Sequence, residues 1–287
     1  MALAASRATM SAAVVDGPGR VRLVRVEAPV PGPGEVLVEV EGCGVCASSL
    51  PTWEGRPWFR HPLPPGAPGH EAWGRLEDGT RVAFLTELGY AQWAIAAVET
   101  VVPLPAELDG LPCPGEALGC AVNVFRRSGV RPGERVAIVG MGFLGTALAQ
   151  LCGFAGAEVV EVRRGDDLPG AVCERAIETG GVQETLDLAS SLVGERGRLV
   201  IAGFHQDGPR TIDLQSWNWR GLDVVNAHER DPAVYVEGMR EAARLAAAGV
   251  LDIERLVTDC YELGRLADAF EAARTRPPGF VKAWVRP

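Results

Sequence analysis

Residues 131–162 read RPGERVAIVGMGFLGTALAQLCGFAGAEVVEV. An apolar run, VAIV, leads into a glycine turn; a helical stretch follows, and a second apolar run, VVEV, closes the segment. That order is strand, turn, helix and strand, a βαβ unit. Gly140, Gly142 and Gly145 follow the first strand directly and open the helix, the context in which a GxGxxG spacing carries meaning. Gly140 permits the tight turn, Gly142 lets backbone N–H groups approach a pyrophosphate, and Gly145 lets the helix pack close to the strand. Phe143 and Leu144 lie within the same turn, and the helix N-terminus adds positive potential. The segment therefore reads as a dinucleotide site, the alternative being a plain glycine turn in an α/β domain.

The end of the second strand distinguishes the cofactors. An acidic residue about 20 positions past the glycines binds a ribose 2′-OH and selects NAD. Here the strand ends in Arg163 and Arg164. Arginine suits a 2′-phosphate through planar, charge-assisted hydrogen bonds. The expectation is NADP, with NAD as the second possibility. The competing reading makes both residues solvated surface arginines paired with Asp166 and Asp167.

Outward from this unit the character changes. From about residue 10 to 105 the chain alternates short β-branched runs (AAVV, VRLVRV, EVLVEVEGCGV, RVAFL, AQWAIAA) with GPG, PGPG and PPGAPG turns. This is an all-β unit, a barrel or folded sheet. Residues 115–127 are expected to be helical, as are 182–193 and 232–248, and strands are expected at 175–178, 198–202 and 222–226. The final segment holds a strand, a helix and a last strand that returns to the first domain. The expected class is α/β, with residues 1–119 and 252–287 in the β-rich domain and 120–251 in a Rossmann-like domain. Residues 1–9 are expected to form a loose tail, with Met10 a second candidate start.

Composition narrows the function classes. Over 287 residues the formal charge is −9, and no basic stripe offers itself to nucleic acid. No apolar run is long enough to span a bilayer, and no secretory h-region opens the chain. The seven cysteines, at 43, 46, 113, 120, 152, 173 and 260, are an odd, scattered set rather than a disulfide framework. They suit a cytoplasmic chain with thiols available for packing or metal.

With these features in order, the chain resembles the zinc-dependent alcohol dehydrogenase branch of the medium-chain dehydrogenase/reductase superfamily. PGPGEVLVEVEGCGVCASSL resembles the segment with the first zinc cysteine, and PGHEAWG the GHE zinc motif. LGYAQWAIA resembles the exit from the catalytic domain, GEALGCAVNVFRRSGVRPGERVAIVGMGFLG the junction into the Rossmann domain, and PPGFVKAWV the terminal strand. The resemblance implies a GroES-like catalytic domain, a nicotinamide cofactor and catalytic zinc. On it, Cys46 stands at the cysteine ligand, His70 and Glu71 at the GHE histidine and glutamate, and Glu116 at the next ligand. Cys120, one helical turn later on the same face, competes with Glu116. A thiolate, an imidazole and one or two carboxylates make a tetrahedral zinc set with room for water or substrate.

The resemblance also implies that Ser48 relays a proton from the substrate alcohol. Two neighbours depart from the family pattern. Ser49 replaces an acidic residue, which removes a carboxylate that orients the zinc histidine, and Pro51 replaces a relay histidine. His205 and His228, at strand C-termini, are candidate substitutes, with a surface or loop role as the alternative for each. The four-cysteine structural zinc lobe is missing. The Rossmann segment is short, because VVEVRRGDDLPGAV runs almost directly into ERAIETGG, and about five strands are expected. The expected activity is NAD(P)-linked alcohol dehydrogenation or carbonyl reduction on a small-molecule polyol, sugar or secondary metabolite. A lyase, isomerase or cyclase on the same fold is the runner-up, and a non-catalytic binding protein ranks last. LDVVN, an apolar edge strand, and the family habit together imply a homodimer.

Overall fold

The computed structural model describes residues 9–166 and 172–287. Asp167 and most of the expected N-terminal tail lie outside the described residues; Thr9, the last residue of that tail, already begins a strand. In chain order the strands are β1 (Thr9–Gly17), β2 (Arg20–Glu27), β3 (Glu35–Gly44), β4 (Glu71–Arg75), β5 (Arg81–Phe84), β6 (Trp93–Ala97), β7 (Val101–Pro103), β8 (Arg135–Val139), β9 (Glu158–Val162), β10 (Cys173–Glu178), β11 (Val193–Ile201), β12 (Asp223–Asn226), β13 (Asp259–Glu262) and β14 (Ala283–Arg286). The helices are α1 (Leu50–Glu54), α2 (Gly115–Ser128), α3 (Phe143–Phe154), α4 (Gln183–Leu192), α5 (Leu214–Arg220), α6 (Pro232–Ala247), α7 (Ile253–Leu256) and α8 (Leu266–Thr275).

The chain divides into two compact units. Residues through Leu118, Met239–Ala247 and Ile253–Pro287 form one; Gly119–Gly238 and Ala248–Asp252 form the other. The expected boundaries differ from these chiefly in the second half of α6, residues 239–247, which belongs with the β-rich unit.

In the β-rich unit β1 and β2 form an antiparallel ribbon. A larger sheet runs β13-β14-β3-β4-β5-β7, with β6 also paired to β3. Alternation turns Val38, Val40, Val82, Phe84 and Val285 inward onto Phe270 and Leu266 of α8. The register of β3 shifts between Val40 and Gly42 against β4. A side chain at Gly42 would collide with Trp73 and Trp284, whose rings pack 5.2 Å apart.

The second unit is a five-stranded parallel sheet in the order β12-β11-β10-β8-β9. It is the shortened Rossmann sheet read from the sequence. Ala137, Val139, Val162, Ala176 and Leu199 face one apolar cluster with α4; Val136, Ile138, Ile177 and Val200 face another with Leu148 and Cys152 of α3. Both faces are buried, as parallel strands require. At the N-terminal end of the strands Arg175 donates to Glu134 through Nε (2.6 Å) and Nη2 (2.9 Å), and to the Ser128 carbonyl (2.9 Å) at the end of α2. Helix α5 was not among the expected elements. It is capped by Asp213, which accepts from the Ser216 N–H, and it seats Trp217 against Ser190.

Candidate metal centre and dinucleotide turn

In the β-rich unit Cys46 follows β3, while His70 and Glu71 stand where the chain enters β4. Antiparallel pairing sets Gly44 opposite Glu71 and so draws the two segments together. A candidate ligand atom from each of Cys46, His70 and Glu71 lies within 4.8 Å of the others. The His70 ring is set by its main chain: Nδ1–H donates to the Pro68 carbonyl at 3.0 Å, leaving Nε2 for a metal. A backbone carbonyl thus orients the ring where the sequence, with Ser49, lacks a carboxylate. Ser48 Oγ–H donates to Cys46 Sγ at 3.1 Å.

Glu116, in the first turn of α2, is half-buried and interacts electrostatically with His70 and Glu71. Burial raises its carboxyl to about 7, more than the nearby His70 charge lowers it. Burial opposes charge on His70 too. The hydrogen bond and charge of Cys46, with Glu116 and Glu71, outweigh it and raise the imidazole to about 10. Such a site holds protons that a cation displaces. Cys120 packs as a partly buried member of the apolar cluster around Val124 and Ile138.

Glu71 differs from its neighbours. It is fully buried, and Lys282 Nζ donates to both its carboxylate oxygens, at 2.8 and 2.7 Å. Lys282 is buried as well, and it is the only lysine in the chain. A Cβ at Gly44 would stand 2.0 Å from Glu71 Oε2, so the carboxylate occupies space that this glycine leaves open. Cys43 and Tyr90 are buried here also; burial pushes the Cys43 thiol well up, and the Tyr90 hydroxyl donates to the Gly44 carbonyl at 3.2 Å. Cys46, His70 and Glu116 remain half-buried. Thiolate, imidazole and carboxylate are a donor set that fits zinc, with Glu71 held from behind by Lys282.

In the second unit Gly140 has φ +105°, a region that favours glycine. A Cβ there would meet Thr179 Oγ1 at 2.8 Å, and one at Gly145 would lie 2.0 Å from the Gly140 carbonyl oxygen. Thr179 Oγ1 donates to that same carbonyl. Gly142 is the N-cap of α3 and supplies no side-chain cap, so the turn fits a phosphate bound by backbone N–H groups. Leu144 turns its side chain into the apolar cluster, which leaves its main chain to serve a ligand. Arg163 and Arg164 are exposed. Arg163 Nη2 pairs with Glu161 Oε2 at 2.7 Å, and Asp166 accepts from the Arg163 backbone N–H at 2.8 Å. The guanidinium partner is therefore Glu161, not Asp166.

The two candidate histidines sit in different surroundings. His205 Nδ1 accepts from Arg210 Nε at 2.9 Å, which puts the ring proton on Nε2; that nitrogen donates to Glu178 Oε2 at 3.0 Å. Both nitrogens are engaged, so His205 ties together the loops after β10 and β11. Glu178 is fully buried; its Oε1 also accepts from Gly180 N–H, Gly181 N–H and the Thr185 hydroxyl. His228 is exposed and stacks on Phe204, centroids 6.0 Å apart. Of the tryptophans, Trp53 stacks on Phe270 and Trp217 is buried, while Trp58 and Trp219 are exposed.

Residues 32–91 match the alcohol dehydrogenase GroES-like domain. The chain is 21% identical to L-galactonate-5-dehydrogenase of Escherichia coli, with 92% of this chain and 95% of that protein covered. It is 31% identical to an alcohol dehydrogenase of Geobacillus stearothermophilus over 55% of this chain and 59% of that one. Its backbone superposes with TM-score 0.83 and 24% identity on a zinc-binding dehydrogenase from Sinorhizobium meliloti bound to NADP, covering 97% of this chain and 99% of that chain. The chain is thus similar to zinc-type alcohol dehydrogenases, with residues 32–91 matching their GroES-like domain, and it shares the fold of a zinc-binding dehydrogenase.

Proposed function

We propose that the protein is a zinc-dependent, NAD(P)-linked oxidoreductase that interconverts a small-molecule alcohol and its ketone or aldehyde, of the polyol, sugar or secondary-metabolite type. The observation that carries this reading is the convergence of Cys46, His70 and Glu71 within 4.8 Å, with the His70 ring already oriented by Pro68. Cys46, His70 and Glu71 would hold the metal, with Glu116 as the further ligand, and Lys282 fixes the Glu71 carboxylate. When bound, zinc supplies Lewis acidity toward a hydroxyl or carbonyl oxygen and the nicotinamide supplies the hydride acceptor or donor. Ser48 sits on Cys46 and moves the hydroxyl proton. Gly140, Gly142 and Gly145, with the main chain of Phe143 and Leu144, cradle the pyrophosphate. Arg163 and Arg164 stand for the 2′-phosphate, which favours NADP over NAD.

Metal analysis and calorimetric cofactor titration on one preparation test the reading. Roughly one zinc per chain is expected, and Cys46→Ser loses most of it while keeping the fold. Absence of zinc after chelator-free purification, or two zincs per chain, counts against it. One observation favours a second reading: the sheet has no strand beyond β9 among the described residues, so the adenosine side is shortened. No binding of either cofactor at millimolar concentration would move the assignment to a lyase, isomerase or cyclase.

We also propose a two-fold dimer joined through β12, an exposed edge strand carrying Val224. A monomeric mass by light scattering is the contrary result. Among the described residues no helix is long and apolar enough to cross a membrane; free cysteines throughout support a cytoplasmic setting.

A further inference from the structure

Glu161 and Arg163 are two residues apart at the end of β9 and on one face of it, where they form an ion pair at 2.7 Å. Strand pairing with Ile138 fixes the backbone of Glu161. The Asp166 carboxylate, bonded to the Arg163 N–H, fixes the backbone where the strand ends. Their side chains are 36% and 53% exposed, so the guanidinium keeps donors open to solvent while one is directed at Glu161.

We propose that Glu161 is a specificity-setting residue whose carboxylate opposes a cofactor 2′-phosphate at Arg163 and so reduces the preference for NADP over NAD. This rests on the assignment of Arg163 to the 2′ position made above. The sign follows from charge. A 2′-phosphate must either take the donor that Glu161 holds or bind beside an uncompensated carboxylate, and both disfavour a dianion. The neutral 2′-hydroxyl of NAD meets no such repulsion, and a carboxylate accepts its hydrogen bond. The site therefore offers a guanidinium for one cofactor and a carboxylate for the other, and the pair sets the ratio.

Calorimetric titration of NADP and NAD into wild type, Glu161→Gln, Arg163→Ala and the double variant tests this on surface positions that leave the core untouched. Glu161→Gln is expected to tighten NADP about fivefold while leaving NAD within about twofold; the gain shrinks in high salt and disappears in the Arg163→Ala background. If Glu161→Gln leaves NADP unchanged while Arg163→Ala weakens it tenfold or more, this inference falls and the arginine assignment stands. Equal tightening of NADP and NAD also overturns the inference, because it marks a general charge effect. If Arg163→Ala changes neither cofactor, the arginine assignment fails and the inference with it.

Discussion

Around the candidate metal ligand Glu71 stand side chains: Lys282, Cys43 and Tyr90, all buried. Around the candidate phosphate turn stand glycines, with Gly145 so near the Gly140 carbonyl that no Cβ fits. A cation site needs anions held against their own repulsion, so the β-rich unit buries a counter-cation. A phosphate site needs main-chain N–H groups brought close, so the second unit removes side chains. The first arrangement fails when a partner is deleted, the second when an atom is added.

The largest effect should come from breaking the first. Lys282→Met leaves Glu71 as a buried, unpaired carboxylate and is expected to cost about 3–5 kcal/mol. Urea unfolding of metal-free protein measures it, and removing the charge of Glu71 as well should recover much of the loss. A cost below about 1 kcal/mol would mean that the buried pair does not differ from a surface one.

Filling the second site is the next step. Gly145→Ala places a methyl against the Gly140 carbonyl, at an expected cost of about 1–3 kcal/mol in stability. Affinity for NADP and NAD should fall together, because the turn is common to both. A loss confined to NADP would contradict the phosphate-turn geometry.

The smallest effect sharpens the contrast within the second unit, whose opposite end also holds a paired charge. Hydrogen bonds from Arg175 keep Glu134 below the ordinary glutamate range. A depressed carboxylate contributes stability above its unfolded value and loses it as pH falls through the folded one. Glu134→Gln should therefore cost about 1–2 kcal/mol at pH 7, and the gap to wild type should close as pH drops below about 4.3. Thermal unfolding across pH 3–7 gives the profile; a gap independent of pH would rule out linkage through this carboxylate.

Much of this was legible in the order of residues. The glycine turn announced itself because a strand ran into it and a helix out of it, and the missing strand because VVEV was followed so soon by RAIE. His70 and Cys46 stood in recognisable motifs. Lys282 did not, since the pairing of β14 with β3 that brings it to Glu71 spans most of the chain. Its one available signal was compositional: among 28 basic residues it alone is lysine. The contacts of His205 were hidden for a similar reason. A histidine at a strand C-terminus has two nitrogens to offer, and only the positions of Arg210 and Glu178 reveal that both are taken. Helix α5 hid because seven residues with two tryptophans give too little periodicity to read.

The sheet order has a consequence for solubility. Among the described residues β9 has no neighbour on its outer side, so the shortened domain carries a second open rim opposite β12. Two adhesive rims on one sheet would permit head-to-tail growth without limit, chain upon chain. The two rims are not alike. β12 exposes Val224 between Asp223 and Asn226, whereas the exposed residues of β9 are Glu158 and Glu161. Solvated ion pairs along a rim, Glu158 with Arg135 and Glu161 with Arg163, cost an incoming apolar strand their desolvation. If the proposed two-fold pair forms through β12, charge on the opposite rim would leave growth no second side on which to continue.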